Sequence, residues 1–297
     1  MENVVIYGVN RFVGFQLCCY YLEQGVNVVG YTHPAHEEED TLQEEMLLYL
    51  GRNANFSCEE MSGNLDVTHI HEQTLAVFFC FFDGGDFYHR SLVKTRIRDV
   101  HQWLMRALNH CVEKGTKTIF VSSLAVFNKQ QQKITEETKP NPVTAEGKVY
   151  YHLEKVFQEH TSELSSAVVF RFPSLYGPWQ PVSAAYQNAI VHKKKEVNSI
   201  KEDTRNLLYI EDAVEAIRLC VEKNEISGIL HVVSNEENAW RVGAEALQLK
   251  NEVQKTNNPF VSTKVKNELG FRPKVQVTKG VQNQLNHSRQ LFAHEIF

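Results

Sequence analysis

Two glycines near the start of the chain, Gly8 and Gly14, stand six residues apart behind the apolar run Val4-Val5-Ile6-Tyr7. A glycine at the end of a strand lets the backbone turn sharply. A second glycine lets the following helix pack close to the strand. Backbone N–H groups at that helix N-terminus then face outward, where they can hold a pyrophosphate. Between the glycines lie Asn10, Arg11, Phe12 and Val13. In the pattern G-x-x-G-x-x-G the middle glycine gives the phosphate room to approach the backbone, and here that position is Arg11. An arginine there grips a phosphate, including the 2′-phosphate of NADP, or else fills an empty phosphate site or points to solvent. Two glycines can also serve nothing but strand–helix packing. Their place directly after the first strand favours the nucleotide reading.

The elements around this turn fit it. Phe15 to Gln24 is amphipathic, Gly25 stops it, and Val26 to Tyr31 is a second apolar run. Strand, turn, helix and strand open a dinucleotide-binding βαβ unit. Such a unit usually ends its second strand on Asp or Glu for the ribose hydroxyls. Here Tyr31 or Thr32 holds that place, and the acidic run Glu37-Glu38-Glu39-Asp40 comes several residues late, as a solvated helix start. Leu75 to Phe82 is a continuous apolar run suited to a buried parallel strand, and Asp83-Gly84-Gly85-Asp86 ends it. A helix over 92–113 leads to a strand over 117–121. Ser122-Ser123 follow at its C-terminal end, where open parallel sheets bind ligands. A helix over 144–160 and a strand over 167–172 complete the alternation. This order predicts an α/β fold with a Rossmann-type doubly wound parallel sheet over 1–172, to which part of 205–235 returns. Residues 173–297 form a smaller mixed α/β lobe.

Composition narrows the function. The chain has 297 residues, 42% hydrophobic and 23% charged, as a globular protein should. A net charge of -5 argues against general nucleic-acid binding. The one basic run, His192-Lys193-Lys194-Lys195, suits a solvated helix end. No apolar run reaches membrane-spanning length and no secretory signal opens the sequence. Cys18, Cys19, Cys58, Cys80, Cys111 and Cys220 lack metal-ligand spacing and read as reduced thiols of a cytoplasmic protein. His69 and His71 have no companion ligands at useful spacing, so no metal site is expected.

Landmarks along nearly the whole chain resemble the extended short-chain dehydrogenase/reductase family, the NAD-dependent epimerase/dehydratases that act on nucleotide sugars. Tyr7-Gly8 to Gly14 sits at the family's glycine turn. Gly63-Asn64-Leu65-Asp66 resembles G-D-L/I-x-D, whose Asp and apolar residue flank adenine; Asn64 and Leu65 take those places. Ser122 to Phe127 resembles S-S-x-x-V-Y, and Arg171 to Pro178, with Ser174 within it, resembles R-x-x-x-V-Y-G-P. Thr204 to Asp212 resembles R-D-F-x-x-V-x-D, whose Arg contacts the sugar-nucleotide phosphates, and Arg205 stands for it. Glu268 to Pro273 resembles E-L-G-W-x-P. Phe82-Asp83-Gly84-Gly85 stands where the family has small alanines beside the cofactor.

The resemblance implies NAD or NADP as cofactor. It also implies a nucleotide or nucleotide-linked sugar as ligand, and a homodimer through the helices at 92–113 and 144–160. Family catalysis uses a Ser, a Tyr that exchanges a proton with a substrate hydroxyl, and a Lys four residues on, one helical turn away on the same face. One register supplies these as Ser123, Tyr151 and Lys155. A gapless register from Pro142 through Glu154 to Arg171 puts Glu146 at the Tyr position and Tyr150 at the Lys position. Tyr151 lies five residues beyond Glu146, about 7.5 Å along the helix and roughly 140° around it, so the two cannot serve one site. Three functions remain open. One is a nucleotide- or sugar-binding member with an altered site that does not carry out ordinary redox turnover. Another is an active NAD(P)-dependent epimerase, dehydratase or reductase. The third is a partner-binding module on the same fold.

Overall fold

A computed structural model describes residues 2–33, 41–63, 65–88, 90–196, 200–223, 225–250 and 258–292, the side chains of 90–95 excepted. The acidic run at 37–40 and Asn64 lie outside the described residues.

Seven parallel strands form the main sheet. They are β1 (Asn3–Tyr7), β2 (Asn27–Thr32), β3 (Phe56–Glu60), β4 (Thr74–Phe79), β5 (Thr118–Ser123), β6 (Ala167–Phe172) and, after two short strands elsewhere, β9 (Gly228–His231). Their order is β3-β2-β1-β4-β5-β6-β9, as expected for a doubly wound sheet. The order reverses between β1 and β4, where a crevice opens at the strand C-termini. Both faces are covered, and the apolar residues of each central strand divide between them. Val4 and Ile6 of β1 join one buried cluster, and Val5 and Tyr7 join the other. Helices α1 (Phe12–Glu23) and α2 (Thr41–Leu50) cover the first face, with α6 (Ile210–Val221) and α8 (Lys264–Leu269). Helices α3 (Arg90–Lys114) and α4 (Ala145–His160) cover the second.

The two glycines of the first turn are required by contact. Gly8 has φ +84°, and a Cβ there would lie 2.0 Å from the Cys80 carbonyl oxygen. A Cβ on Gly14 would lie 2.1 Å from the carbonyl oxygen of Gly8. The turn is thus clamped between the end of β4 and the first turn of α1.

Beyond β6, a two-stranded parallel ribbon of β7 (Ser174–Tyr176) and β8 (Leu207–Tyr209) carries α5 (Ala185–Val191), α7 (Ala239–Ala246) and α9 (Val277–Leu291). Its own buried cluster centres on Tyr176, Tyr186, Tyr209 and Trp240. The α7 helix starts directly after Asn238, which is in a left-handed conformation. The α9 helix is not evident from periodicity, because its buried stripe is half polar. Gln284 donates to Gln180 at 2.7 Å and to Gln187 at 2.9 Å, and Ser288 donates to Gln187 at 3.1 Å.

Candidate active-site cleft

The chain after β5 makes a 3-10 turn, Leu124–Val126, in which the Ser123 hydroxyl accepts the N–H of Ala125 at 3.1 Å. Across from it, α4 starts at a Thr144 cap whose hydroxyl accepts the N–H of Gly147 at 3.0 Å. A Cβ on Gly147 would fall 2.1 Å from the Ala125 carbonyl oxygen, so the helix start lies directly on the turn. This contact carries Glu146 to the strand end, where Ser123 Oγ donates to its Oε1 at 2.9 Å. Tyr150, one turn on, is buried and donates to the Phe82 carbonyl at 3.1 Å. Glu154 follows on the same side. It accepts Ser122 at 2.5 Å and the Arg171 guanidinium through two bonds of 2.9 and 2.6 Å. Beside this pair, burial and the Arg171 charge lower the His231 imidazole to about 3, which keeps it neutral.

The residues of the gapless register therefore line the strand end. Of the other register Ser123 also lies there, but Tyr151 and Lys155 do not join it. Tyr151 is half-buried and Lys155 exposed, with Nζ over the Tyr151 ring at 4.8 Å, and neither lines the cleft. The cause is the turn of the helix: with Glu146 and Tyr150 facing inward, the next position points about 100° away.

The cleft has a volume of about 130 Å³. Ser123, Glu146 and Tyr150 form one wall, and Phe12, Val13 and Asp83 another. Ser174, Glu202 and Asp203 close it from the second lobe. Glu146 is drawn up to about 7, first by burial and then by the negative charges of Asp203 and Glu202; the Ser123 hydrogen bond opposes the rise. Glu202 is raised as well, by burial, although Trp240 Nε1 donates to it at 2.6 Å and the Ala185 N–H at 3.2 Å. A carboxyl near 7 both gives and takes protons at neutral pH, as acid–base catalysis requires.

The end of α1 is bonded from within the chain. The N–H of Phe12, at the start of α1, donates to the two Asp83 carboxylate oxygens at 3.0 and 3.3 Å. The Asp83 N–H donates to Asp86 at 2.8 Å, and Asp86 in turn pairs with Arg11 at 3.2 Å and Arg96 at 2.7 Å. A carboxylate thus sits where a pyrophosphate would bind. Arg11 neither faces solvent nor stands free for a phosphate, because it is buried against Asp86. Asn10 bonds Gln43 at 2.8 Å. Tyr31 stacks on Tyr7 with centroids 4.7 Å apart and donates to the Asp66 carbonyl at 2.8 Å. Leu65 is buried in the core, and Phe82 is packed against Phe87. Gly8, Asn10, Arg11, Gly14, Tyr31 and Leu65 do not line the cleft. A pyrophosphate would meet two carboxylates and an N–H already in use. A dinucleotide pyrophosphate at this helix end would have to displace the Asp83 carboxylate from the Phe12 N–H.

Two expected substrate contacts also have structural duties. Arg205 binds Asp203 through Nη2 at 2.6 Å and donates to the Asn128 and Phe127 carbonyls at 3.0 and 3.1 Å. Ser174 lines the cleft and donates to the Asp203 carbonyl at 2.7 Å. Trp179 packs on Phe15 and His287 and lies outside the cleft. Glu202, Tyr88 and the capping role of Asp83 are not apparent from sequence motifs. The signal for Asp83 was the acid and two glycines in place of small alanines. Away from the cleft, exposed Glu59 and Asp66 meet the half-buried His69 in a surface ion-pair group.

The strand order, the serine at the end of β5 and the helix start facing it define an extended short-chain dehydrogenase/reductase fold. The chain belongs to the NAD dependent epimerase/dehydratase family, whose model matches residues 4–232. It is similar to YtcB of Bacillus subtilis (strain 168), described as an uncharacterized UDP-glucose epimerase. The two are 25% identical over 213 residues, 65% of this chain and 67% of that protein. Among solved structures it resembles a UDP-glucuronic acid 4-epimerase from Bacillus cereus in complex with NAD. The TM-score is 0.79, with 21% identity over 98% of this chain and 100% of that one. A dTDP-glucose 4,6-dehydratase from Bacillus anthracis in complex with NAD matches with TM-score 0.76 and 15% identity, over 98% of this chain and 97% of that one. No helix of the described residues is long and apolar enough to cross a membrane.

Proposed function

We propose that this chain is a sugar-binding member of its family that acts without hydride transfer. The observation that carries the reading is the Asp83 carboxylate on the Phe12 N–H, in the position a pyrophosphate would take. In place of the family's phenol, Glu146 and Ser123 form a proton-transfer pair in the remaining cleft. Ser123 orients a ligand hydroxyl, and Glu146, near neutrality, takes its proton and returns it. Such a pair suits isomerisation or elimination on a sugar that already carries a carbonyl, since neither needs a net oxidant. A sugar ligand is supported by family membership and by relatives that act on UDP- and dTDP-linked sugars. Two lobes meeting at about residue 172, a cytoplasmic location and a homodimer through α3 and α4 complete the proposal.

Titration of the purified chain with NAD, NADH, NADP and NADPH by calorimetry tests this reading. The expected result is no binding of any of the four at millimolar concentration. Micromolar binding of one redox pair would return the chain to NAD(P)-dependent epimerase, dehydratase or reductase chemistry. A homogeneous protein that binds neither cofactor nor any sugar would instead be a partner-binding module.

A further inference from the structure

Two histidines meet on the outer side of the helix pair α3 and α4. His101 of α3 is half-buried and His152 of α4 is exposed, and His101 Nδ1 lies 3.3 Å from His152 Nε2. A separation of 51 positions hides the pair from any sequence spacing. The ring centroids are 5.3 Å apart and the planes 15° from parallel. The two nitrogens are closer than the centroids, so both face the gap between the rings. A hydrogen bond across that gap needs one nitrogen with its hydrogen and one bare, so at least one ring is neutral. The backbones beneath are fixed. Val100 and Leu104 beside His101, and Leu153 and Val156 beside His152, belong to one buried cluster.

We propose that His101 and His152 form a binding site for a divalent transition-metal ion of the zinc class. Two imidazole nitrogens on one tetrahedral zinc, each about 2.0–2.1 Å from the metal, stand about 3.3 Å apart. The pair already holds that separation. The ion takes the place of the hydrogen between the rings, which shifts to the outer nitrogen of the same imidazole, and water completes the coordination. Imidazole ligands select Zn²⁺, Ni²⁺ and Cu²⁺ over Mg²⁺ and Ca²⁺. The bound ion ties α3 to α4, the helix that carries Glu146 and Tyr150 to the cleft. The surface group of Glu59, Asp66 and His69 is the competing place for a metal, with three ligand atoms all within 4.8 Å of one another. It is dominated by carboxylates, and Glu59 and His69 already satisfy each other at 3.0 Å.

Calorimetry of the untagged full chain with Zn²⁺, Ni²⁺ and Mg²⁺ tests the proposal, which does not rest on the sugar-binding reading. The expected result is one Zn²⁺ or Ni²⁺ per chain and no binding of Mg²⁺. His101→Asn and His152→Asn should each weaken Zn²⁺ and Ni²⁺ by about tenfold or more, while His69→Asn leaves them unchanged. Zn²⁺ should raise the melting temperature of the parent, because an ion held only by the folded state stabilises it, and should not raise that of either variant. Circular dichroism and metal-free melts establish that the variants are folded. Paramagnetic Co²⁺ added to the parent should broaden the ring NMR signals of His101 and His152 first, a readout that needs no variant. Absence of Zn²⁺ and Ni²⁺ binding at millimolar concentration would overturn the proposal. So would unchanged affinity in both variants, or a loss confined to His69→Asn.

Discussion

Ser122 and Ser123 are neighbours on β5, and each donates to a glutamate of α4, yet the two pairs have opposite surroundings. Ser122 meets Glu154, which is buried and held by both arms of the Arg171 guanidinium. Ser123 meets Glu146, which lines the cleft among other carboxylates and has no cation among the described residues. The same side-chain pair is thus part of the framework in one case and chemically available in the other. A neutralised, fully bonded carboxylate ties β5, β6 and α4 together. An unpaired one keeps its proton near neutrality and can exchange it.

The contrast breaks most visibly at the framework pair. Glu154→Ala leaves the Arg171 charge buried without a partner, and the expected loss of stability is about 3–5 kcal/mol in a denaturant titration. Next comes the other glutamate, with the opposite sign. The Glu146 carboxyl rises from 4.5 to about 7 on folding. Its protonated form is therefore favoured by the folded state, and that advantage is fully present below pH 4.5 and lost as pH rises to about 7. At about 1.4 kcal/mol for each pH unit, the loss is on the order of 3 kcal/mol, less whatever solvent in the cleft screens. Glu146→Gln should abolish that slope and melt above the parent at neutral pH, with the two converging in acid. Glu202 and Asp203, which face Glu146, remain in the variant and set any residual dependence.

A third carboxylate refines the comparison. Asp83 caps α1 in the way a side chain caps a helix, so Asp83→Ala should cost about 1 kcal/mol in thermal or chemical unfolding. The smallest effect belongs to the motif that looked most catalytic. Lys155→Ala removes an exposed contact with Tyr151 and should change stability by about 0.5 kcal/mol or less.

How much of this the sequence disclosed depends on the distance over which each feature is decided. Gly8 and Gly14 mark a turn whose need is local, and the apolar runs over 75–82 and 167–172 are buried strands wherever they pair. The pairing of Glu146 with Ser123 was within reach because counting without a gap from Pro142 to Arg171 puts a carboxylate at the phenol's position. The Tyr151–Lys155 spacing competes with it, and spacing alone does not say which face of α4 turns inward. The Asp83 contact joins residues 71 apart, and the Arg205 contacts with Asn128 and Phe127 join residues 77 and 78 apart. No local pattern reports either. For α9 the difficulty is chemical, since a buried stripe of Gln284 and Ser288 reads as an exposed face until their partners across the lobe are known.

The Asp83 contact bears on any dinucleotide that reaches the end of α1. Because the carboxylate belongs to the chain, it competes for the end of α1 as a tethered rival. Short connections give such a rival an effective concentration in the millimolar range, which does not fall when the protein is diluted. A free dinucleotide has to displace it at every encounter, and its apparent affinity falls by the fraction of time the helix end is occupied. On the reading proposed above, one acidic residue on a neighbouring loop answers that helix end from within the chain.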